Sequence, residues 1–337
     1  MTTPTAGTAA IRLAFIGAGG IARTHATSLD GVSASVVAAV DPSQEALDAF
    51  SDCNRGSVFN SSDALMEAIA SGQVEADAIV LCTPPNSRKG IIQQAFGAGL
   101  DCLIEKPLAT TGAEADAIVA LAQANPDRIG AVGYCHRFTP ALIEMKRRLE
   151  KGEIGRVTRF ENVFAFHHDA MSERWFSDPA VSGGGAFIDT GCHSLDAFQY
   201  LLGTPEIAGF LPDSDWPGRG ESSATALVRS KGGPHAGVAG VILAGGLEPA
   251  RFQIRLTGTK GAFSYDYNQP EDLLLHHPDG APEPVTTIKV ESHEVRFARQ
   301  LEAFVKAVAG RLSPREVGLA TLEDGARVAH AFDKASA

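Results

Sequence analysis

From Ile11 to about Tyr134, apolar runs of strand length alternate with stretches of helical period. The runs "IRLAFIG", "ASVVAAV", "DAIVLCT", "DCLIEKP" and "RIGAVGY" read as strands; between the later ones, "DALMEAIA", "RKGIIQQAFGAG" and "GAEADAIVALAQAN" read as helices. The strand segments are continuous in Val, Ile, Leu and Ala instead of alternating with polar residues, as expected of strands buried on both faces. Parallel strands in turn need helical crossovers. The first half is therefore expected to be α/β, a doubly wound parallel sheet.

The pattern changes after Arg137. A helix, "PALIEMKRRLEKG", leads into the strand "RVTRFENVFAF", a polar loop follows, and helical spacing returns from about Gly185 to Leu202. Beyond it "SSATALVRS", "HAGVAGVILAGG", "RFQIRLTGT", "GAFSYDY", "DLLLHHP" and "PVTTIKV" succeed one another across short Gly/Pro turns, the pattern of an antiparallel or mixed sheet. Two helices close the chain, "HEVRFARQLEAFVKAVAG" and "REVGLATLEDGARVAHAFDK". The second half is expected to be α+β. The expected division is residues 1–135 and 136–337, with the C-terminal helix a candidate to pack back on the first domain.

At 337 residues the chain exceeds what a single hydrophobic core supports, in keeping with two domains. Its 44% apolar and 20% charged composition is that of a globular protein. No apolar run approaches the ~20 residues that span a bilayer, and "MTTPTAGTAA" lacks the features of a signal peptide, so a cytoplasmic location is expected. Five scattered cysteines with no C-x-x-C pair argue against a disulfide framework and a structural zinc site. A net charge of −11 with no basic cluster argues against nucleic acid and anionic membranes. The expected partner is a small molecule.

"AFIGAGGIARTH" carries G-x-G-x-x-A at Gly17, Gly19 and Ala22, directly after the first predicted strand. In that order the first glycine makes a tight turn, the second admits a pyrophosphate, and the small third residue lets the helix pack closely. The second strand ends at Asp41, 24 residues after Gly17, where a carboxylate can accept from ribose hydroxyls. Its charge repels a 2′-phosphate and no arginine follows in "DPSQEALDAF", so NAD is expected over NADP. The expected cofactor-binding set is Gly17, Gly19, Gly20, Ile21, Ala22, Asp41, Thr83, Pro84, Asn86, Glu105 and Lys106. Farther on, Asp189 and His193 stand four apart after the glycine run Gly183 to Gly185. On a helix they would share a stripe with Asp196 and Tyr200, beside an apolar stripe.

The glycine turn, "CTPPNSRKG", the "EKP" after strand five, "GYCHRFTPAL" and "GGGAFIDTGCHSLD", in this order, resemble the family of glucose-fructose oxidoreductase and inositol dehydrogenase (Gfo/Idh/MocA). The resemblance runs over nearly the whole chain. It implies NAD(P)-dependent oxidation of sugars or polyols, and a Rossmann domain followed by one with a large open sheet. It also implies an active site between the two, a cis Lys106–Pro107 bond, and catalytic positions at Lys106, Asp189 and His193. Family members often carry His where this chain has Lys89 and Asn where it has Cys135.

Oxidising a secondary alcohol needs a hydride acceptor, a base and a group that stabilises the developing alkoxide. His193 suits the base, and Asp189 either orients it or binds a substrate hydroxyl. Lys106, at the sheet edge where open α/β folds bind ligands, offers positive charge to the substrate oxygen, with Glu105 expected to hold its ammonium. The expected substrate-binding set is Lys106, His167, Arg174, Trp175, Asp189 and His193. The adjacent His167 and His168 lack partners at metal-ligand spacing, and no metal is expected. The reading is an NAD-dependent dehydrogenase of a sugar, sugar acid or cyclitol. An NAD-using glycosidase or lyase with transient oxidation and a non-catalytic sensor are the rivals. A bare face on the second sheet would make the protein a homodimer or homotetramer.

Overall fold

The structure, a computed structural model, describes residues 10–52, 56–166, 171–214, 216–246, 250–269, 272–287 and 295–333. In the first half β1 (Ile11–Ile16), α1 (Gly20–Thr27), β2 (Ala34–Val40), α2 (Gln44–Ser51), β3 (Ser57–Phe59), α3 (Ser62–Ala70), β4 (Ala78–Leu81), α4 (Arg88–Gly97), β5 (Asp101–Ile104), α5 (Gly112–Ala124) and β6 (Gly130–Val132) alternate. The strands lie in the order β6-β5-β4-β1-β2-β3, all parallel. The order reverses between β1 and β4, which opens a crevice at their C-terminal ends. The expected doubly wound sheet is thus present. Continuous apolar strands serve both faces by alternation: Leu13, Phe15, Val80 and Leu103 join one core, while Ala14, Ile16, Leu81 and Ile104 join the other.

The second half contains α6 (Pro140–Glu150), β7 (Val157–Ala165), α7 (Pro179–Ser182), α8 (Cys192–Leu202), β8 (Pro205–Asp213), β9 (Ser223–Ser230), β10 (Ala239–Gly245), β11 (Arg251–Gly258), β12 (Ala262–Asp266), β13 (Asp272–His276) and β14 (Glu283–Thr287). These eight strands form one sheet, β14-β13-β12-β11-β7-β10-β9-β8, antiparallel except for the parallel pair β7 and β10. One face buries Phe160, Ala226, Val228, Leu256 and Phe263. The other presents Glu161, Val163, Val241, Leu243 and Arg255 around an open depression, with Leu211 and Leu227 exposed near the edge.

The chain then returns to the first sheet through α9 (Val295–Gly310), β15 (Ala320–Thr321) and α10 (Leu322–Asp333). Leu301, Phe304 and Val308 of α9 fill the core beneath Leu13 and Phe15, and β15 pairs antiparallel with β6. At the end of α10 the Asp333 carboxylate accepts from the Gly112 amide at 2.9 Å. The single helix expected over "REVGLATLEDGARVAHAFDK" is instead a 3₁₀ turn at Pro314–Val317, then β15, then α10. Gly318, in the left-handed conformation at φ 82°, stops the first turn. Strands β3 and β8 were not apparent in the pattern; β3 is a three-residue edge strand, and β8 carries Gly209 and two prolines.

Candidate active site

The crevice at β1 and β4 is lined by the glycine turn. Gly17 has φ 92°, and a Cβ there would lie 2.9 Å from the Cys82 carbonyl, so the turn closes only with glycine. At Gly19, which caps α1, and at Gly20, a Cβ would meet nothing within 4 Å. Ile21 is half-buried and Ala22 fully buried under the helix. The Asp41 carboxylate accepts from the Ala18 amide at 2.9 Å through one oxygen and from the Ser43 amide at 2.9 Å through the other. The acidic group is thereby fixed beside the turn. An open approach to the first amides of α1, with a carboxylate at the end of β2, fits a dinucleotide.

Across the crevice, Thr83 and Pro84 follow β4, and the exposed Asn86 reaches the Ala180 carbonyl of α7 at 3.4 Å. Arg88 ties this edge together. Its fully buried guanidinium donates to the Thr83 carbonyl, at 3.0 Å from Nε, and to the carbonyls of Glu105 and Pro107. Burial pushes its pKa down to about 10. Neighbouring Lys89, by contrast, is exposed.

Beyond β5 the Lys106–Pro107 bond is cis. Glu105 does not hold the Lys106 ammonium as expected. One carboxylate oxygen lies 2.7 Å from His25 Nε2, and the other accepts from the backbone amide of Lys106 at 3.1 Å. The side chain is turned into the sheet, where a buried charge needs the His25 partner. Lys106 Nζ instead crosses to the second half, donating to Asp189 Oδ1 at 2.8 Å and to the Asp189 carbonyl at 3.0 Å. Both side chains retain 18% exposure. Burial works against the ammonium, yet the adjacent Asp189 carboxylate more than offsets it, and the amine titrates above the usual lysine range.

Asp189 sits in a π-helical turn, Phe187–Gly191, that runs directly into α8. The wide turn breaks the expected single stripe, because one extra residue rotates everything after it around the axis. Asp196 accordingly turns away from the cleft and receives Arg137 in a buried bidentate pair. The glycine run has a packing reason: Gly183 has φ 88°, and a Cβ there would stand 2.7 Å from the Thr110 carbonyl of the first half.

His193, in the first turn of α8, is half-buried against His136 (ring centroids 4.6 Å), Phe164 (5.6 Å) and Tyr134 (6.3 Å). Its Nδ1 has no hydrogen-bond partner among the described residues. Burial, then the neighbouring His136 and Lys106, push its pKa well below the usual histidine value. The imidazole is therefore neutral at neutral pH. The donor atoms of Cys135, His136 and His193 all lie within 4.8 Å of one another.

Lys106 and Asp189, remote in sequence, thus meet where the two halves join, and His193, four residues past Asp189, lies close enough for the Lys106 charge to lower its pKa. Arg174 and Trp175 do not join them in any contact among the described residues: both are exposed, and both lean on Phe176. His167 lies outside the described residues. Arg88, His136 and Arg137 were missed from sequence. "GYCHRFTPAL" entered as part of the resemblance, with Cys135 as a departure from it, yet His136 and Arg137, two basic residues directly after a buried strand, signalled a role at the sheet's edge.

Residues 11–134 match the oxidoreductase family with an NAD-binding Rossmann fold, and residues 142–264 match the GFO/IDH/MocA C-terminal domain. Over 306 residues, 88% of each chain, the protein is 25% identical to an inositol 2-dehydrogenase of Rhizobium meliloti (strain 1021). Among solved structures, an oxidoreductase domain protein from Kribbella flavida superposes with a TM-score of 0.84 at 21% identity, covering 98% of this chain and 96% of that one. A levoglucosan dehydrogenase in complex with NADH superposes at 0.82 with 19% identity over 97% of both chains.

Proposed function

Because the chain belongs to the Gfo/Idh/MocA oxidoreductases, with an NAD-binding Rossmann domain, we propose that it oxidises a hydroxyl of a sugar, sugar acid or cyclitol by hydride transfer to NAD. Residues 1–135 carry the cofactor in this reading and residues 136–337 the substrate. One observation supports it above others: the Lys106 amine and the His193 imidazole, whose Nδ1 has no hydrogen-bond partner among the described residues, stand at one junction, the first protonated and the second neutral. That is the protonation pattern alcohol oxidation needs.

NAD, when bound, supplies the hydride acceptor. Lys106 has three N–H groups and spends two on Asp189, leaving one to donate to the substrate oxygen as negative charge develops there. Asp189 keeps the amine charged and aimed. Neutral His193 takes the hydroxyl proton. Asp41, already fixed by two amides, is placed to accept from ribose hydroxyls and to repel a 2′-phosphate, which favours NAD over NADP.

A screen of aldoses, inositols and sugar acids for NADH absorbance tests the reading. Saturable turnover with net NADH formation is expected. Binding without turnover would replace the dehydrogenase with a sensor, and substrate consumption without net NADH would replace it with transient oxidation. The bare face of the second sheet is the proposed self-association surface. Sedimentation at the 35.3 kDa of one chain would remove that part.

A further inference from the structure

Cys135 and His136 occupy the 3₁₀ turn after β6, and His193 the first turn of α8. Neither residue of the turn has been given a part in the reaction. Their sulfur and ring-nitrogen donors nevertheless lie with a His193 nitrogen inside a 4.8 Å cluster, Cys135 and His136 buried and His193 half-buried toward the cleft. Aromatic rings hold the imidazoles in place: His136 meets Phe164 and Tyr267 edge-on, each at 5.2 Å between centroids. Among the described residues, His193 Nδ1 is buried without a hydrogen-bond partner.

A thiolate and two imidazoles match zinc and similar borderline ions, and contain no oxygen donor that would suit magnesium or calcium. In a tetrahedral zinc site such donors stand roughly 3.5 Å apart, so these must draw in by about 1 Å, within the reach of side-chain rotation. Coordination uses one nitrogen of each ring and leaves the other to orient it. Three protein ligands also leave a fourth position.

We propose that Cys135, His136 and His193 bind a zinc-class divalent ion in the substrate-free protein, and that the ion blocks turnover by occupying His193. The blocking half of this statement rests on the reading of His193 as the base. Binding is a ligand exchange with no redox change: the Cys135 S–H gives up its proton to solvent as the S–Zn bond forms, and the imidazoles coordinate through lone pairs. The charge nearby limits the affinity to a moderate one: the Lys106 and Arg296 cations both bear on His193, and the Arg296 guanidinium, hydrogen-bonded to the Cys135 thiol, has to be displaced.

The test is zinc binding to the full chain, stripped by a chelator and free of NAD and sugar, with a chromogenic zinc indicator as competitor. Cys135→Ser and His136→Gln are measured alongside, with magnesium as the hard-ion control and NAD binding as the check that each variant is folded. One zinc per chain and no magnesium are expected, with each substitution weakening zinc by at least about tenfold. Failure of the wild-type chain to bind stoichiometrically, or equally tight binding by folded Cys135→Ser, overturns the site. With a substrate from the screen, zinc should raise the apparent KM, and Cys135→Ser should relieve inhibition by the factor by which it weakens binding. Zinc that binds but leaves the rate unchanged, or raises it, overturns the blocking role. If no substrate turns over, the binding arm still decides the site, and it is the dehydrogenase reading that fails.

Discussion

Lys106 and Arg137 leave the same edge of the first sheet one strand apart, and each crosses to an aspartate in the same helical run of the second half. Their surroundings differ. Arg137 is 7% exposed, pairs with Asp196 through Nε at 2.9 Å and Nη2 at 2.6 Å, and reaches Asp324 through Nη1 at 3.0 Å. It thereby fastens the turn after β6 to α8 and α10. The Lys106–Asp189 pair is half-open, and the amine has a donor to spare. An ion pair shut away from solvent and tied to a second carboxylate serves as scaffold. A pair that keeps one donor at a cleft can act on a ligand.

Breaking each pair in turn sharpens the contrast. Lys106→Met and His193→Ala should each lower kcat roughly a hundred- to ten-thousand-fold in NADH-absorbance assays, with NAD affinity unchanged and melting temperature nearly so. Turnover near normal in either variant would refute the assigned roles. Arg137→Met should do the opposite, costing about 3–5 kcal/mol of stability in urea unfolding because the buried Asp196 loses its guanidinium and Asp324 is left with Arg327 alone. The folded fraction should keep most of its kcat; a stable but inactive Arg137→Met would erase the distinction.

Asp41→Ser tests the cofactor edge, and should shift the ratio of kcat/KM for NAD over NADP by about tenfold toward NADP. The smallest effect is on pH dependence. Asp189 raises the Lys106 pKa, so the charged amine and the activity persist as pH climbs past the ordinary lysine value of 10.5. Asp189→Asn removes the raising charge while burial still lowers the pKa, so the alkaline limb of kcat/KM should move down by roughly one unit or more. An unmoved limb would mean that Lys106 is not the group that titrates.

The two halves of the chain were not equally legible. Strands β1, β2, β4, β5 and β6 stood out because a parallel sheet buried on both faces admits only apolar runs. Edge strands β3 and β8 carried no such run. The final segment misled because Gly318, one residue in a left-handed conformation, outweighed a helical pattern extending past it. Lys106 and Asp189, which meet at 2.8 Å, lie in segments that were legible through their motifs. The orientation of Glu105 was not, since its neighbour in sequence is Lys106 but its partner in space is His25, 80 residues away.

What the order of residues settled is what local sterics and hydrophobic period control: the glycine turn closing on β4, the covered sheet, the acidic group at the end of β2. Tertiary structure alone decided which charges meet. The π turn at Phe187–Gly191 aims Asp189 at Lys106 and leaves Asp196 to Arg137, and the turn after β6 brings Cys135 and His136 to His193. Ion pairing and coordination depend on distances between segments far apart along the chain, and those distances exist only once both sheets have packed.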